Sequence, residues 1–450
     1  MTWATHIRRI LALGLPPIGS LMAQMAIQLT DTVMLGRYDV GALAGQVLGS
    51  SIFALALLFG AGFGWAVTPI VAEAEARGQT TEIRRVTRMA LWLSTGFGAL
   101  VLPLFLFPRP LFDALGQDPA TSDTAARYLV VQGFAIFPAL GLMVIRAYLS
   151  GLGRARAQFW AMCGALVLNG LVNYALIFGA WGAPELGVTG AAIGSVVSTS
   201  VAFAALAVHA ALATPEHAIF QRIWKPDPGA LARVFRLGWP IGTATLAEAG
   251  LFSASAVMMG WLGPVPLAAH GIAMQVISVI FMAHVGLSQA ATIRAGNAVG
   301  RDDPQGLRKG AAAALMLSAC IALPTAAALA LIPEPLIELF LGDEEESRAA
   351  VIALGRGLLL AAAIFQLVDA AQVMAMGLLR GLQDTRVPMI WAGFAYWGVG
   401  VPLAWVFGFV LDGGGVGIWL GMAAGLSLAA VALQTRFWRR TRLVAGPAAG

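Results

Sequence analysis

Twelve apolar runs, each long enough to cross a bilayer as a single helix, constrain this 450-residue chain more than any other feature. They fall at approximately 10–36, 45–72, 86–107, 125–150, 157–180, 187–213, 232–261, 265–297, 309–332, 349–379, 387–411 and 414–436. A helix needs about 20 apolar residues to span the hydrocarbon core, so the runs predict twelve crossings joined by short loops. Composition agrees: residues of the AVILMFWYC set make up 59% and charged residues 11%, against about 45–50% and about 25% in globular chains. Too few polar side chains exist to cover a water-facing surface of this size. The same numbers exclude a disordered chain, and the 53 glycines have no three-residue period. The expected fold class is an all-α integral membrane protein.

The charges that remain are sorted by loop. With the N-terminus placed in the cytoplasm, 21 of the 28 lysines and arginines fall on the inner side, among them Arg8, Arg9, Arg84, Arg85, Arg301 and Arg380. Five fall outside, and Arg146 and Arg294 stand near span ends. The alternation predicts a multi-pass protein of the inner membrane with both termini cytoplasmic. The acidic run Asp343–Glu346 then becomes a solvated external loop. A net charge of +5 spread among loops offers no nucleic-acid surface, and neither Lys225 nor Lys309 stands in a phosphate loop. No ATPase and no cofactor are expected. Cys163 and Cys320 lie in apolar runs without metal-ligand spacing and read as packing residues. The N-terminal run continues past residue 30 without an A-x-A site, so it reads as a retained first span.

The two halves repeat. LGLPPIG from Leu13 parallels LGWPIG from Leu237, 224 residues on, and the same offset pairs Leu43 with Leu267 and Gly62 with Gly286. YLSGLGRAR from Tyr148 parallels LLRGLQDTR from Leu378. Six spans therefore recur as six spans in the same orientation, as in the parallel halves of some secondary transporters. The expected organisation is an N-terminal six-helix lobe over 1–213, a cytoplasmic linker over 214–229, and a C-terminal six-helix lobe over 230–450 ending in a short cytoplasmic tail.

Charged side chains deep in a span are costly and mark functional sites. Three carboxylates qualify: Asp31 in span one, Glu248 in span seven and Asp369 in span ten. Helical spacing gives each some company. Gln24, Gln28 and Asp31 share a face of span one; Thr245, Glu248, Phe252 and Ser255 share one in span seven. Phe365, Asp369, Gln372 and Met376 share one in span ten, and Asn169 and Asn173 stand four apart in span five. A lone amide in a span more often bonds a neighbouring helix, but a carboxylate costs more than such a role requires. One buried negative charge can take a proton, a sodium ion or an organic cation, and these compete. Aromatic faces such as Phe281 and Phe365 would favour an organic cation by about 0.5–2 kcal/mol. His270 and His284 lack metal-ligand spacing and read as packing groups. Pro16, Pro17, Pro69, Pro138, Pro240 and Pro324 each remove a helical hydrogen bond and permit a bend.

The segments LTDTVMLGRYDVGALAG from Leu29, LVVQGFAIFPALGLMVIRAYLSGLGRAR from Leu129 and LNGLVNYALIFG from Leu168 resemble the multidrug and toxic compound extrusion (MATE) family. QLVDAAQVMAMGLLRGLQDTRVP from Gln366 resembles its NorM-like branch. The resemblance runs from about residue 8 to 436. It implies two six-helix lobes around a central cleft and antiport of cationic, amphipathic compounds against Na+ or H+. It assigns ion-coupling or substrate-binding roles to Asp31, Glu248, Asp369, Asn169, Asn173 and Phe281, adding Gln28, Gln372 and Phe365 as their neighbours. A sodium ion at Glu248, Asp369 or Asp31 follows from the same resemblance, as does function as a monomer with small organic cations and lipid as its partners. One departure stands out: the NorM-like pattern commonly carries Tyr four residues before the span-ten aspartate, where this chain has Phe365. The missing hydroxyl weakens a sodium site and leaves proton coupling open.

Other readings account for less of the sequence. A flippase for a lipid-linked precursor would line its cavity with arginines, whereas carboxylates dominate these spans. An integral membrane enzyme would need a convergent His/Asp/Glu set at a span end, and none is present. A passive channel would need neither three separated titratable groups nor a two-lobe repeat.

Overall fold

Hydrocarbon offers backbone amides no partners, so an apolar run that crosses it must satisfy its own hydrogen bonds, and the helix does so segment by segment. The computed structural model describes residues 3–341 and 348–444; the run Asp343–Glu346 lies outside them. Twelve helices are long and apolar enough to span. They are α1 (Thr5–Tyr38), α2 (Val40–Ala76), α3 (Thr80–Leu106), α4 (Pro119–Gly151), α5 (Arg156–Phe178) and α6 (Val188–Ala213). The second set is α7 (Pro228–Leu262), α8 (Pro264–Gly300), α9 (Pro304–Leu331), α10 (Arg348–Gly381), α11 (Arg386–Val410) and α12 (Gly414–Arg442). No strand occurs among the described residues.

Several prolines leave a visible mark one turn upstream, where the lost amide and the ring clash act. In α2 the helix breaks between Trp65 and Val67, four residues before Pro69. In α4 a 3-10 turn at Gly133–Ala135 precedes Pro138. In α11 a π-helical stretch, Phe394–Gly400, leads into Pro402. Pro16 and Pro17 in α1, Pro240 in α7 and Pro324 in α9 lie inside continuous helix.

Packing divides the chain into two units. One comprises Gly19–Gly242; the other joins Met1–Ile18 to Thr243–Gly450. The division therefore runs through α1 and α7. The start of α1 packs with the second half of the chain, and the start of α7 with the first. Buried Ile10 accordingly shares a core with Leu358, Met374, Trp419 and Phe437, while Val234 and Ile241 share one with Ile70, Met89, Ile145 and Tyr148. Glycines allow the close approaches. A Cβ on Gly62 would run into the carbonyl oxygen and amide of Gly238 and Gly242. In the other unit a Cβ on Gly286 would meet Ile18 and lie 3.2 Å from the Gly14 oxygen. Gly14 and Gly238 are themselves repeat equivalents, so the two contacts are the same contact made twice.

The segment 214–229 is strapped to the first of these units. Trp92 Nε1 donates to the Ile223 carbonyl at 2.7 Å, Arg88 to the Arg222 carbonyl at 3.1 Å, and Arg84 to Gln221 Oε1 at 3.1 Å. Arg85 forks onto Asp227 at 2.5 and 3.0 Å. That hydrogen bond holds the Asp227 carboxyl at about 2, well below the carboxylate range. At the other end the Tyr148 hydroxyl bonds Thr214 Oγ1 at 2.7 Å and His217 Nδ1 at 2.6 Å. Burial lowers the pKa of His217, opposed by Glu75 and Glu216 and reinforced by Arg154.

Candidate functional site

Asp31 stands near the end of α1, 5% exposed. Asn173 Nδ2 on α5 donates to its Oδ1 at 2.5 Å, and Ser195 Oγ on α6 donates to its Oδ2 at 2.9 Å. Asn173 Nδ2 also reaches Asn169 Oδ1 at 3.2 Å. Asn169 and Asn173 are fully buried, and Asn169 Nδ2 and Asn173 Oδ1 have no hydrogen-bond partner among the described residues. The backbone of α6 comes so close that a Cβ at Gly194 would collide with Asn173 Oδ1. Both of these donors to the Asp31 carboxylate are neutral, so dipoles would solvate its charge without cancelling it. Tyr128, 2% exposed, adds a phenol within electrostatic reach of Asp31.

The second cluster belongs to the other unit. Asp369 is 5% exposed and Glu248 half-buried. The two carboxylates lie within each other's field, and Arg380, one helical stretch beyond Asp369 on α10, faces Glu248. Glu248 Oε1 and Asp369 Oδ1 have no hydrogen-bond partner among the described residues. Gln372 Nε2 donates to the Tyr396 hydroxyl of α11 at 2.8 Å, and Tyr396 sits in the combined field of Glu248, Asp369 and Arg380. Phe365 packs edge-on against Phe252 and Trp419, with centroids 5.9 and 5.4 Å away. Two carboxylates thus stand together with one guanidinium within the field of Glu248, whereas Asp31 is met by neutral donors.

Six of the nine residues singled out in the sequence thus fall into two clusters: Asp31, Asn169 and Asn173 in one, and Glu248, Asp369 and Gln372 in the other. Phe365 borders the second cluster as a 1% exposed packing ring. Gln28 is exposed, although helical spacing aligned it with Asp31. Phe281 is half-buried on α8, while Phe365 packs against Phe252 and Trp419. Among the described residues no group of three His, Cys, Asp or Glu forms a metal site; the candidate ion ligands are a carboxylate with amide and hydroxyl oxygens.

Sequence reasoning missed Ser195, Tyr396 and Arg380. A serine in a small-residue span carries no signal of its own. Tyr396 is one of only five tyrosines, and a phenol in an apolar run was a usable cue. It brings a hydroxyl from α11 to the cluster in which Phe365 lacks one. Arg380 reads in the sequence as a topology-setting cation, yet it lies within the field of Glu248 and Tyr396.

Ionisable groups gathered inside a bundle of spanning helices define a membrane transporter built on internal repeats. The MatE family model matches residues 16–175 and 240–406, two segments that begin at equivalent repeat positions. The chain is 42% identical over its whole length to "Probable multidrug resistance protein NorM" of Rhizobium meliloti (strain 1021), covering 97% of that relative. It is 40% identical to the protein of the same description from Agrobacterium fabrum, over 97% of this chain and 94% of that one. A solved structure described as the outward-facing conformation of a multidrug resistance MATE family transporter of the MOP superfamily shares the fold. Its TM-score is 0.88 at 20% identity, over 98% of this chain and 97% of that one. The chain therefore belongs to the MatE family, in its NorM-like branch, and is a transporter, not an enzyme.

Proposed function

We propose that this protein is a multidrug exporter of the bacterial inner membrane that expels cationic, amphipathic organic compounds in exchange for Na+ or H+. The observation that carries this reading is the two clusters of buried carboxylates, one met by neutral donors only and the other with oxygens left without a partner among the described residues. When ionised, each offers negative charge out of water that one monovalent cation can cancel. A proton, a sodium ion and an organic cation are alternative ways of doing so, and a site that accepts any of them exchanges one for another by competition. An interaction of this kind shifts a two-state carrier only by the difference in affinity between its states, which is what alternating access requires.

The Asp31 cluster suits the small ion. Its carboxylate is ringed by Asn169, Asn173 and Ser195, and half a turn of the Asn173 amide would replace a donor by an oxygen ligand. The Glu248–Asp369 pair, beside Gln372 and the Tyr396 hydroxyl, has carboxylate oxygens without protein partners and suits a cation of either kind. The protein works as a monomer in lipid with both termini in the cytoplasm, as the distribution of its arginines supports.

The test is export of a fluorescent organic cation from proteoliposomes under an imposed proton gradient and, separately, an imposed sodium gradient. Acceleration by one of them, with reciprocal ion movement driven by the drug, is expected. Indifference to both would end the antiport reading.

A further inference from the structure

Besides the two carboxylate clusters, one group of buried charge remains without an evident role, and it is cationic. His6 on α1 is 2% exposed, and Arg294, near the end of α8 (Pro264–Gly300), donates from Nη2 to His6 Nδ1 at 2.7 Å. The acceptor is a neutral ring nitrogen, so this bond leaves the guanidinium charge uncancelled. Gly310 of α9 lies flat against the pair: a Cβ there would be 3.4 Å from Arg294 Nε and 3.8 Å from His6 Nδ1. The charged groups that act on this pair are cations. Arg9 and Lys309 act on His6, and Arg9 and Arg301 act on Arg294; all three are exposed. The neighbouring carboxylate Asp303 is committed to capping α9, accepting from the Gly306 amide at 2.7 Å. All of these residues lie within the unit formed by Met1–Ile18 and Thr243–Gly450.

A partly buried arginine in a membrane protein is normally paired. Here the pairing group is a histidine nitrogen, and three more exposed cations stand where α1 begins, α8 ends and α9 begins. Basic pockets between spans at this level take the phosphate of an anionic headgroup. We propose that His6, Arg9, Arg294, Lys309 and Gly310 form a phosphate-binding site at the membrane interface, occupied by the headgroup phosphate of an anionic phospholipid. Arg294 supplies the inner charge, Gly310 packs beside it, and Arg9 and Lys309 close over the outer oxygens. A free phosphate has the same chemistry and is the alternative source.

The full-length protein in an uncharged detergent, titrated with phosphatidylglycerol, phosphatidylcholine or inorganic phosphate while its melting temperature is followed, tests this. Phosphatidylglycerol is expected to raise the melting temperature at concentrations where phosphatidylcholine does not. Arg9→Gln combined with Lys309→Gln should weaken that half-saturation by about fivefold per cation removed. The control pair Arg439→Gln and Arg442→Gln, exposed cations of α12 with the same charge loss, should leave it in place. Arg294→Gln should abolish the response; if that variant does not fold, the Arg9/Lys309 pair still decides. A response to inorganic phosphate that the same substitutions weaken would assign the site to a soluble anion and confirm its chemistry. Equal weakening by test and control pairs, or an equal response to phosphatidylcholine, would overturn the site.

Discussion

Asp31 differs from Glu248 and Asp369 in how its charge is met. Asp31 has both oxygens engaged by neutral donors, Asn173 and Ser195, whereas the other pair faces an arginine and retains oxygens without protein partners. Removing the charge while keeping the shape separates the roles. Asp31→Asn is expected to insert normally and to lose gradient-driven export, and export that still follows the gradient would place coupling elsewhere. Glu248→Gln and Asp369→Asn should each abolish drug resistance in an efflux-deficient host at unchanged membrane levels. Full resistance from either would remove that carboxylate from the mechanism. Gly194→Ala probes the support of the Asp31 cluster, because the new methyl collides with Asn173 Oδ1. Overpacking of this kind costs about 1–3 kcal/mol. The expected outcome is a lowered melting temperature together with lost transport, and a fully active Gly194→Ala would show that Asn173 need not hold its place.

The elements repeat in geometry and diverge in chemistry. Gln24 and Glu248 are repeat equivalents, and each meets an arginine from the fourth span of its half. Arg146 donates to Gln24 Oε1 at 3.1 Å, and Arg380 faces Glu248. Asp31, by contrast, corresponds to Ser255, whose hydroxyl merely bonds the Phe252 carbonyl of its own helix at 2.7 Å. The duplicated crossings at Gly62 and Gly286 should be equally intolerant of bulk. Gly62→Leu and Gly286→Leu are each expected to lower the melting temperature clearly, and Gly164→Leu, with open space around its Cβ, hardly at all. Similar melting of all three would contradict the close packing. The strap over 214–229 carries a pH dependence of known sign. His217 is held with its pKa below the ordinary 6.5, so the folded strap favours the neutral ring. Its contribution is full above about 6.5 and declines as pH falls below that. The Arg85–Asp227 clamp persists throughout, because a carboxyl held at about 2 loses its contribution only as pH falls through that value. Cleavage within the strap by a protease active over the whole range should therefore quicken between about pH 7.5 and 5.5. In His217→Gln it should not; a flat profile in the parent protein would show that the ring does not latch.

At the scale of the whole molecule, the twelve spans and their boundaries were legible within a few residues, because the cost of bare amides in hydrocarbon leaves an apolar run little choice but a helix. The loop arginines predict which side each end faces. A reporter fused at either terminus is expected to read cytoplasmic, and a periplasmic signal from one would break the even count of crossings. The internal repeat and the three span carboxylates were also plain, since a charge in an apolar run cannot hide. Periodicity was less reliable for company: it aligned Gln28 with Asp31, but Gln28 is exposed, and the real partners came from α5 and α6. Arg380 looked like a loop cation and turned out to face Glu248. Nor does the linear order of the halves show that α1 and α7 each begin in one unit and finish in the other. Thus the sequence by itself determined how many times the chain crosses and which charges it must bury, because transfer of each segment into lipid is a local cost. Only the tertiary structure decided which neutral groups surround those charges and which helices exchange ends. Those choices depend on contacts between residues more than a hundred positions apart, and no local cost records them.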